Sequence, residues 1–154
     1  LTLGWSYGYS FIPVGFNMNS SANKDNRYQE IADDIDHRTN GYKSRIESLM
    51  KKTDAAILLI QRALASGIKA DYVLMDTWFS TEPMLKEILK TGIDAIGMVK
   101  QLKQRYFFHG KAYTLPELRK FIRHENATDI FGSLVVTTKG GIRVKIVVIR
   151  NHVL

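Results

Sequence analysis

Apolar residues fall at helical spacing through the centre of the chain. Ile57, Leu58, Ile60, Ala63 and Leu64 share one stripe of the segment 55–66, Asp54 stands where an N-cap belongs, and Gly67 supplies a stop. The run that follows, Tyr72-Val73-Leu74-Met75, is short, continuous and apolar, which predicts a buried strand ending at Asp76. Thr81 caps a second predicted helix, with Glu82 and Pro83 in its first turn, Met84, Leu85, Ile88 and Leu89 on its inner face, and Gly92 at its end. Residues 95–99 read as another buried strand. Helix, strand, helix, strand with unalternating apolar strands is the pattern of a parallel βαβ unit.

The flanks differ in style. Residues 1–18 alternate polar and apolar positions and are broken by Gly4, Gly8 and Gly15, so they read as a hairpin turning at Gly8. A polar linker, 17–23, leads into a charge-dense stretch, 24–53, with a short helix expected around 28–35 and a solvated connection holding Asn40-Gly41. Near the other end, Thr114 caps a short predicted helix, 115–122, with Pro116 in its first turn. Strands at 133–138 and 142–149 are joined by Lys139-Gly140-Gly141, a hairpin signal. The fold class is α/β, with antiparallel β toward the C-terminus as an insertion or second small unit.

Composition narrows the class. The chain has 154 residues, of which 45% are apolar and 24% charged, and it has no cysteine. That is enough to bury a core without disulfides, and it excludes a thiol enzyme or a cysteine zinc site. No apolar run approaches the length of roughly 20 residues needed to cross a membrane, so the expected setting is cytoplasmic. The first residue is Leu1, and the strand pattern 144–150 runs almost to the last residue. An edge strand is a poor place for a domain to stop, which reads as an internal piece of a longer protein.

The charge is concentrated. Of the net +7, the segment from Val99 to Arg123 carries +6, through Lys100, Lys103, Arg105, Lys111, Arg119, Lys120 and Arg123 against Glu117. Tyr106, Phe107, Phe108 and Tyr113 lie among these cations. The mixture suits phosphate contact with base or sugar packing, and it equally suits a solvated face over the core of a small subdomain.

Asp76 is the most informative single residue. The carboxyl edge of a strand in an open α/β sheet faces the crevice where ligands bind, and a carboxylate there can take a proton, hold a divalent cation or start a turn. Trp78 and Phe79 occupy a loop that would ordinarily be polar. His37, His109, His124 and His152 have no metal-ligand spacing, no serine lies in a nucleophile elbow, and Asp33, Asp34 and Asp36 read as solvated.

The segment Ala70-Asp71-Tyr72-Val73-Leu74-Met75-Asp76-Thr77-Trp78-Phe79, with Leu3-Gly4-Trp5-Ser6, Gly8-Tyr9-Ser10-Phe11-Ile12-Pro13-Val14, Ser20-Ser21-Ala22-Asn23-Lys24 and Gly97-Met98-Val99-Lys100, resembles the bacterial insertion-sequence transposases of the DDE type, in the insertion-sequence-four group. The resemblance runs over nearly the whole chain. It implies a ribonuclease H-like core in which two aspartates and a glutamate hold two Mg²⁺ ions for in-line attack on a DNA phosphodiester. Asp76 then corresponds to the second aspartate and metal ligand, with the first aspartate before Leu1 and the glutamate beyond Leu154. Tyr7 and Gly15 depart from the family, which carries Asp at both places.

On this reading residues 1–100 form part of the transposase core, and 101–154 hold the basic segment and the start of a β-rich insertion. Lys100, Lys103 and Arg105 contact DNA, and the full-length protein acts at the nucleoid as a possible homodimer. One carboxylate cannot hold a metal pair, so the chain alone is expected to lack strand-transfer activity. The competing reading is a non-catalytic nucleic-acid-binding module built on segment 100–123; a third is a decayed gene product without function.

Overall fold

The computed structural model describes residues 1–99, 104–123 and 129–150. Among them the chain is mixed α/β, with eight strands and four α-helices. It divides into two compact units, Leu1–Leu74 with Glu87–Ile96 and Met75–Lys86 with Gly97–Leu154.

In the first unit, β1 (Thr2–Ser6) and β2 (Phe11–Phe16) form the expected antiparallel hairpin, with Trp5 opposite Ile12 and a register shift between Leu3 and Gly4. Gly8 turns the chain at φ +103, a conformation that an L side chain resists. The indole N–H of Trp5 donates to the Lys69 carbonyl at 2.9 Å. Helix α2 (Lys52–Ala65) buries Ala55, Leu59 and Ile60 and packs on both strands of the hairpin.

Two expectations for this unit fail. The helix expected around 28–35 is absent, replaced by a 3-10 turn at Lys24–Asn26 and irregular chain, while the stretch expected as a connection at Asn40 is helix α1 (Asn40–Ser48). The start signal is Thr39, whose hydroxyl accepts the Tyr42 N–H at 3.2 Å, and α1 buries no residue, so it has no apolar period to read. Helix α2 also begins before Asp54. Ala55 N–H already bonds the Lys51 carbonyl at 2.9 Å, leaving Asp54 inside the first turn, where its charge suits the helix dipole.

Strand β3 (Tyr72–Met75) pairs with β4 (Asp94–Gly97), and α3 (Glu82–Leu89) lies between them in sequence. Their apolar runs predict strands buried throughout. Instead burial alternates, with Tyr72 55% and Leu74 74% exposed, because only one side of the pair is covered. The anchors of α3 are Met84 and Ile88, both buried.

The second unit is built on a sheet of order β6-β5-β7-β8, antiparallel at every pairing. β5 (Tyr106–Phe108) and β6 (Lys111–Tyr113) turn through His109 at φ 47 and Gly110 at φ 75, two positive values that suit a tight hairpin. Helix α4 (Leu115–Arg119) begins at a capping box, in which Thr114 and Glu117 satisfy each other's backbone groups. It is shorter than the helix expected over 115–122. β7 (Ile130–Thr138) and β8 (Arg143–Ile149) form the expected hairpin through Lys139-Gly140-Gly141. Tyr106, Leu118 and Val136 make the core, with Phe108, Tyr113, Leu115, Leu134, Val144 and Ile146 packed against it.

Candidate functional site

Asp76 follows β3 directly and is exposed. Its Oδ1 accepts the backbone N–H of Trp78 at 2.9 Å and that of Phe79 at 3.3 Å, the geometry of an Asx turn. The Asp76 carbonyl is held as well, by the Ser80 hydroxyl at 2.7 Å and the Ser80 N–H at 3.2 Å. Loop 76–80 is thus wound around one residue. The end of β4 closes on it so tightly that a Cβ on Gly97 would fall on the Ser80 hydroxyl. Oδ2 of Asp76 accepts no hydrogen bond from a described residue, so it is Oδ1 that fixes the turn.

Other carboxylates are committed elsewhere. Asp36 forms a forked pair with Arg38, whose guanidinium and backbone N–H hold its carboxyl below the usual range. Glu82, at the start of α3, lies against Gly140, Lys86 and Thr138, and these partners, the Gly140 N–H first, favour its charged form and hold its carboxyl below the usual range. Among the described residues no group of three or more His, Asp or Glu side chains comes close enough to hold a metal ion. The described residues therefore do not make up the ligand set of a Mg²⁺ pair, although Oδ2 of Asp76 is a hard donor of the right kind.

Of the three expected DNA contacts, Lys100 and Lys103 lie outside the described residues. Arg105 is exposed at the start of β5. It lines a cleft of about 610 Å³ within the second unit, together with Thr77, Ser80, Thr81, Phe107 and Lys139. The aromatic residues interleaved with the basic segment divide between two roles. Tyr106, Phe108 and Tyr113 belong to the core, so they are not free for base stacking, whereas Phe107 is 40% exposed on the opposite side of β5. Arg119 sits over the Phe131 ring, 5.5 Å from its centroid.

Glu82 and Lys139 carry no signal as site residues in the sequence. Glu82 reads as an ordinary first-turn acid and Lys139 as part of a turn, and no local pattern joins residues so far apart in the chain. No described helix is long and apolar enough to cross a membrane. No protein-family model matches the chain, nor does any curated protein or any solved structure.

Proposed function

We propose that this chain is the central part of a DDE transposase catalytic domain, of ribonuclease H-like fold with a β-rich insertion, in which Asp76 serves as one ligand of a Mg²⁺ pair. The observation that carries the reading is the split use of the Asp76 carboxylate at the carboxyl end of β3. Oδ1 is locked by two backbone N–H groups, and Oδ2 accepts no hydrogen bond from a described residue. A carboxylate that served only the turn would be as well replaced by the amide of Asn. The sequence resemblance around Asp76-Thr77-Trp78-Phe79 gives the reading its chemistry.

When bound, the metal pair would supply the activation of water or a 3′-hydroxyl and clamp the oxygens of the phosphodiester. The chain's own residues do the rest. Asp76 holds the loop that presents its second oxygen, and Arg105 offers a cation to DNA phosphate, with Lys100 and Lys103 expected to join it. With one ligand of the set, the chain alone does not cut DNA.

The test is a cleavage assay with Mg²⁺ and duplex DNA from both sides of the gene, on the longest polypeptide that the reading frame encodes. Nicking that Asp76→Asn abolishes while DNA binding persists is the expected result. Nicking that survives Asp76→Asn overturns the reading, as does a frame with no strand-borne Asp upstream and no helix-borne Glu downstream.

A further inference from the structure

The antiparallel sheet of the second unit has two faces. One carries Tyr106, Leu134, Val136, Val144 and Ile146 into the core with Leu118 of α4. The residues alternating with these stand on the other face, where Phe107, Val135 and Val147 are each partly exposed and Arg143 and Lys145 are exposed as well. The register sets Lys145 opposite Val135, Arg143 opposite Thr137, and Thr137 opposite Phe107. Arg143, Thr137 and Phe107 therefore form a row across three strands. Lys139 and Arg105 end the same face, since they share the cleft with Phe107.

The charge on the strands of this face has one sign, the nearby acids being Glu82 in the cleft and Glu117, which acts on Arg105. Residues 130–149 contain no acid at all, and neither do 104–116. Arg105, Lys139, Arg143 and Lys145 form no ion pair with a described residue. The acid nearest in the cleft, Glu82, is already engaged by Gly140, Lys86 and Thr138. Arg143 and Lys145, at alternate positions of β8, stand about 7 Å apart along the strand, and Arg105 and Lys139 extend the cationic surface beyond the strand ends. They form a track, not a ring around an apolar anchor, and a track is what a polyanionic backbone follows.

We propose that this outer sheet face binds the phosphate backbone of DNA, with Arg143 and Lys145 engaging it on the open sheet and Arg105 and Lys139 receiving it in the cleft walled by the loop that follows Asp76. The surface lies mostly outside segment 100–123, where the charge along the chain is densest. It rests on the DNA-binding part of the proposed function and requires neither the metal nor the Asp76 carboxylate.

The experiment is fluorescence anisotropy of a short labelled DNA duplex with the whole chain across a salt series. The wild type should bind with log affinity falling linearly in log salt. Arg143→Gln with Lys145→Gln should reduce that slope by about 0.9 for each phosphate no longer neutralised, and Arg143→Lys with Lys145→Arg should restore it. Lys139→Gln, a turn position outside the strands, gives the same reading if the double variant melts early. No binding by the wild type overturns the surface, as does an unchanged slope in both Gln variants. Binding of poly-glutamate as tightly as DNA of equal charge overturns it too, by showing an acidic protein as the partner. An unchanged slope alongside nicking that Asp76→Asn abolishes sinks the surface alone; a lowered slope alongside nicking indifferent to Asp76→Asn sinks the transposase reading alone.

Discussion

The Glu82 carboxylate lies against the backbone of Gly140, whose N–H is the first cause of its lowered pKa, so one carboxylate joins the first turn of α3 to the turn between β7 and β8. Lys86 approaches the same carboxylate at 3.3 Å, and Thr138, at the end of β7, also favours its charged form. The tie fixes the turn that carries Lys139. It also explains why position 140 is glycine, since a Cβ there would meet the Glu82 carboxylate and the Lys86 ammonium.

Gly140→Ala should therefore break the tie by pushing two flexible side chains aside. The expected cost is that of one charge-assisted hydrogen bond near the surface, about 1 kcal/mol. Urea unfolding of Gly140→Ala, Glu82→Gln and the double variant checks it. A double variant that loses as much as the two single variants together would show that the residues act separately.

The same tie sets a pH dependence. The folded carboxyl of Glu82 ionises below its ordinary range because the Gly140 N–H, then Lys86 and Thr138, favour the charged form. A depressed pKa means that its contribution is complete above the unfolded value and is lost as pH falls through the folded one. Wild type and Glu82→Gln should thus differ in stability near neutrality and converge in acid. A difference that stays constant as pH falls would remove the carboxylate from the account.

Asp76 offers a cleaner separation of structure from chemistry. Asn keeps an oxygen for the N–H groups of Trp78 and Phe79, while Ala leaves both without their acceptor. Asp76→Asn should leave stability within about 0.5 kcal/mol of wild type, and Asp76→Ala should lose about 1 kcal/mol. Thermal melts of the two variants decide it. Equal losses would mean that the negative charge itself holds the loop.

The sequence is legible where local chemistry alone chooses the conformation. Gly8 and Lys139-Gly140-Gly141 announce their hairpins, and the stripe from Ile57 to Leu64 announces α2. Helix α1 is hidden because it buries nothing, so its only signal is the Thr39 cap. The β5–β6 hairpin is hidden because Tyr106-Phe107-Phe108 is apolar without alternation, although His109-Gly110 takes the turn between its strands. Exposure of Tyr72 and Leu74 cannot be read either, since a continuous apolar run looks the same whether one face is covered or two. At the site, Asp76 stands out by its place after a strand. The Glu82 to Gly140 tie joins distant segments, and one sequence carries no trace of it.

In the first unit, Glu47 and Arg62 form a forked pair at 2.6 and 2.7 Å that fastens α1 to α2. The Arg62 side chain holds the Glu47 carboxyl below its usual range, and Arg62 is raised in return. Because α1 buries no residue, this pair and the Asn17 amide, which donates to the Glu47 carbonyl at 3.1 Å, are prominent among its tertiary bonds. Glu47→Gln should cost about 0.5–1 kcal/mol, a value limited by the exposure of Arg62. Hydrogen exchange should show faster exchange in α1 and unchanged protection in α2. Equal acceleration in both helices would mean that the pair supports the unit as a whole.

Leu118 tests whether the outer sheet face depends on the core beneath it. Its side chain is 1% exposed and packs with Tyr106 and Val136, which sit on β5 and β7 opposite the cationic face. Leu118→Ala should cost about 2–5 kcal/mol, with the higher part of that range applying if the cavity cannot collapse around Tyr106. The alternation that points Tyr106 inward also points Arg105 and Phe107 outward, so loosening the core should blur the spacing of the cations. If the face acts as a fixed track, the variant should bind DNA more weakly even at temperatures where circular dichroism shows it folded, although every cation is retained. If charge alone governs binding, its salt slope and affinity should match those of the wild type.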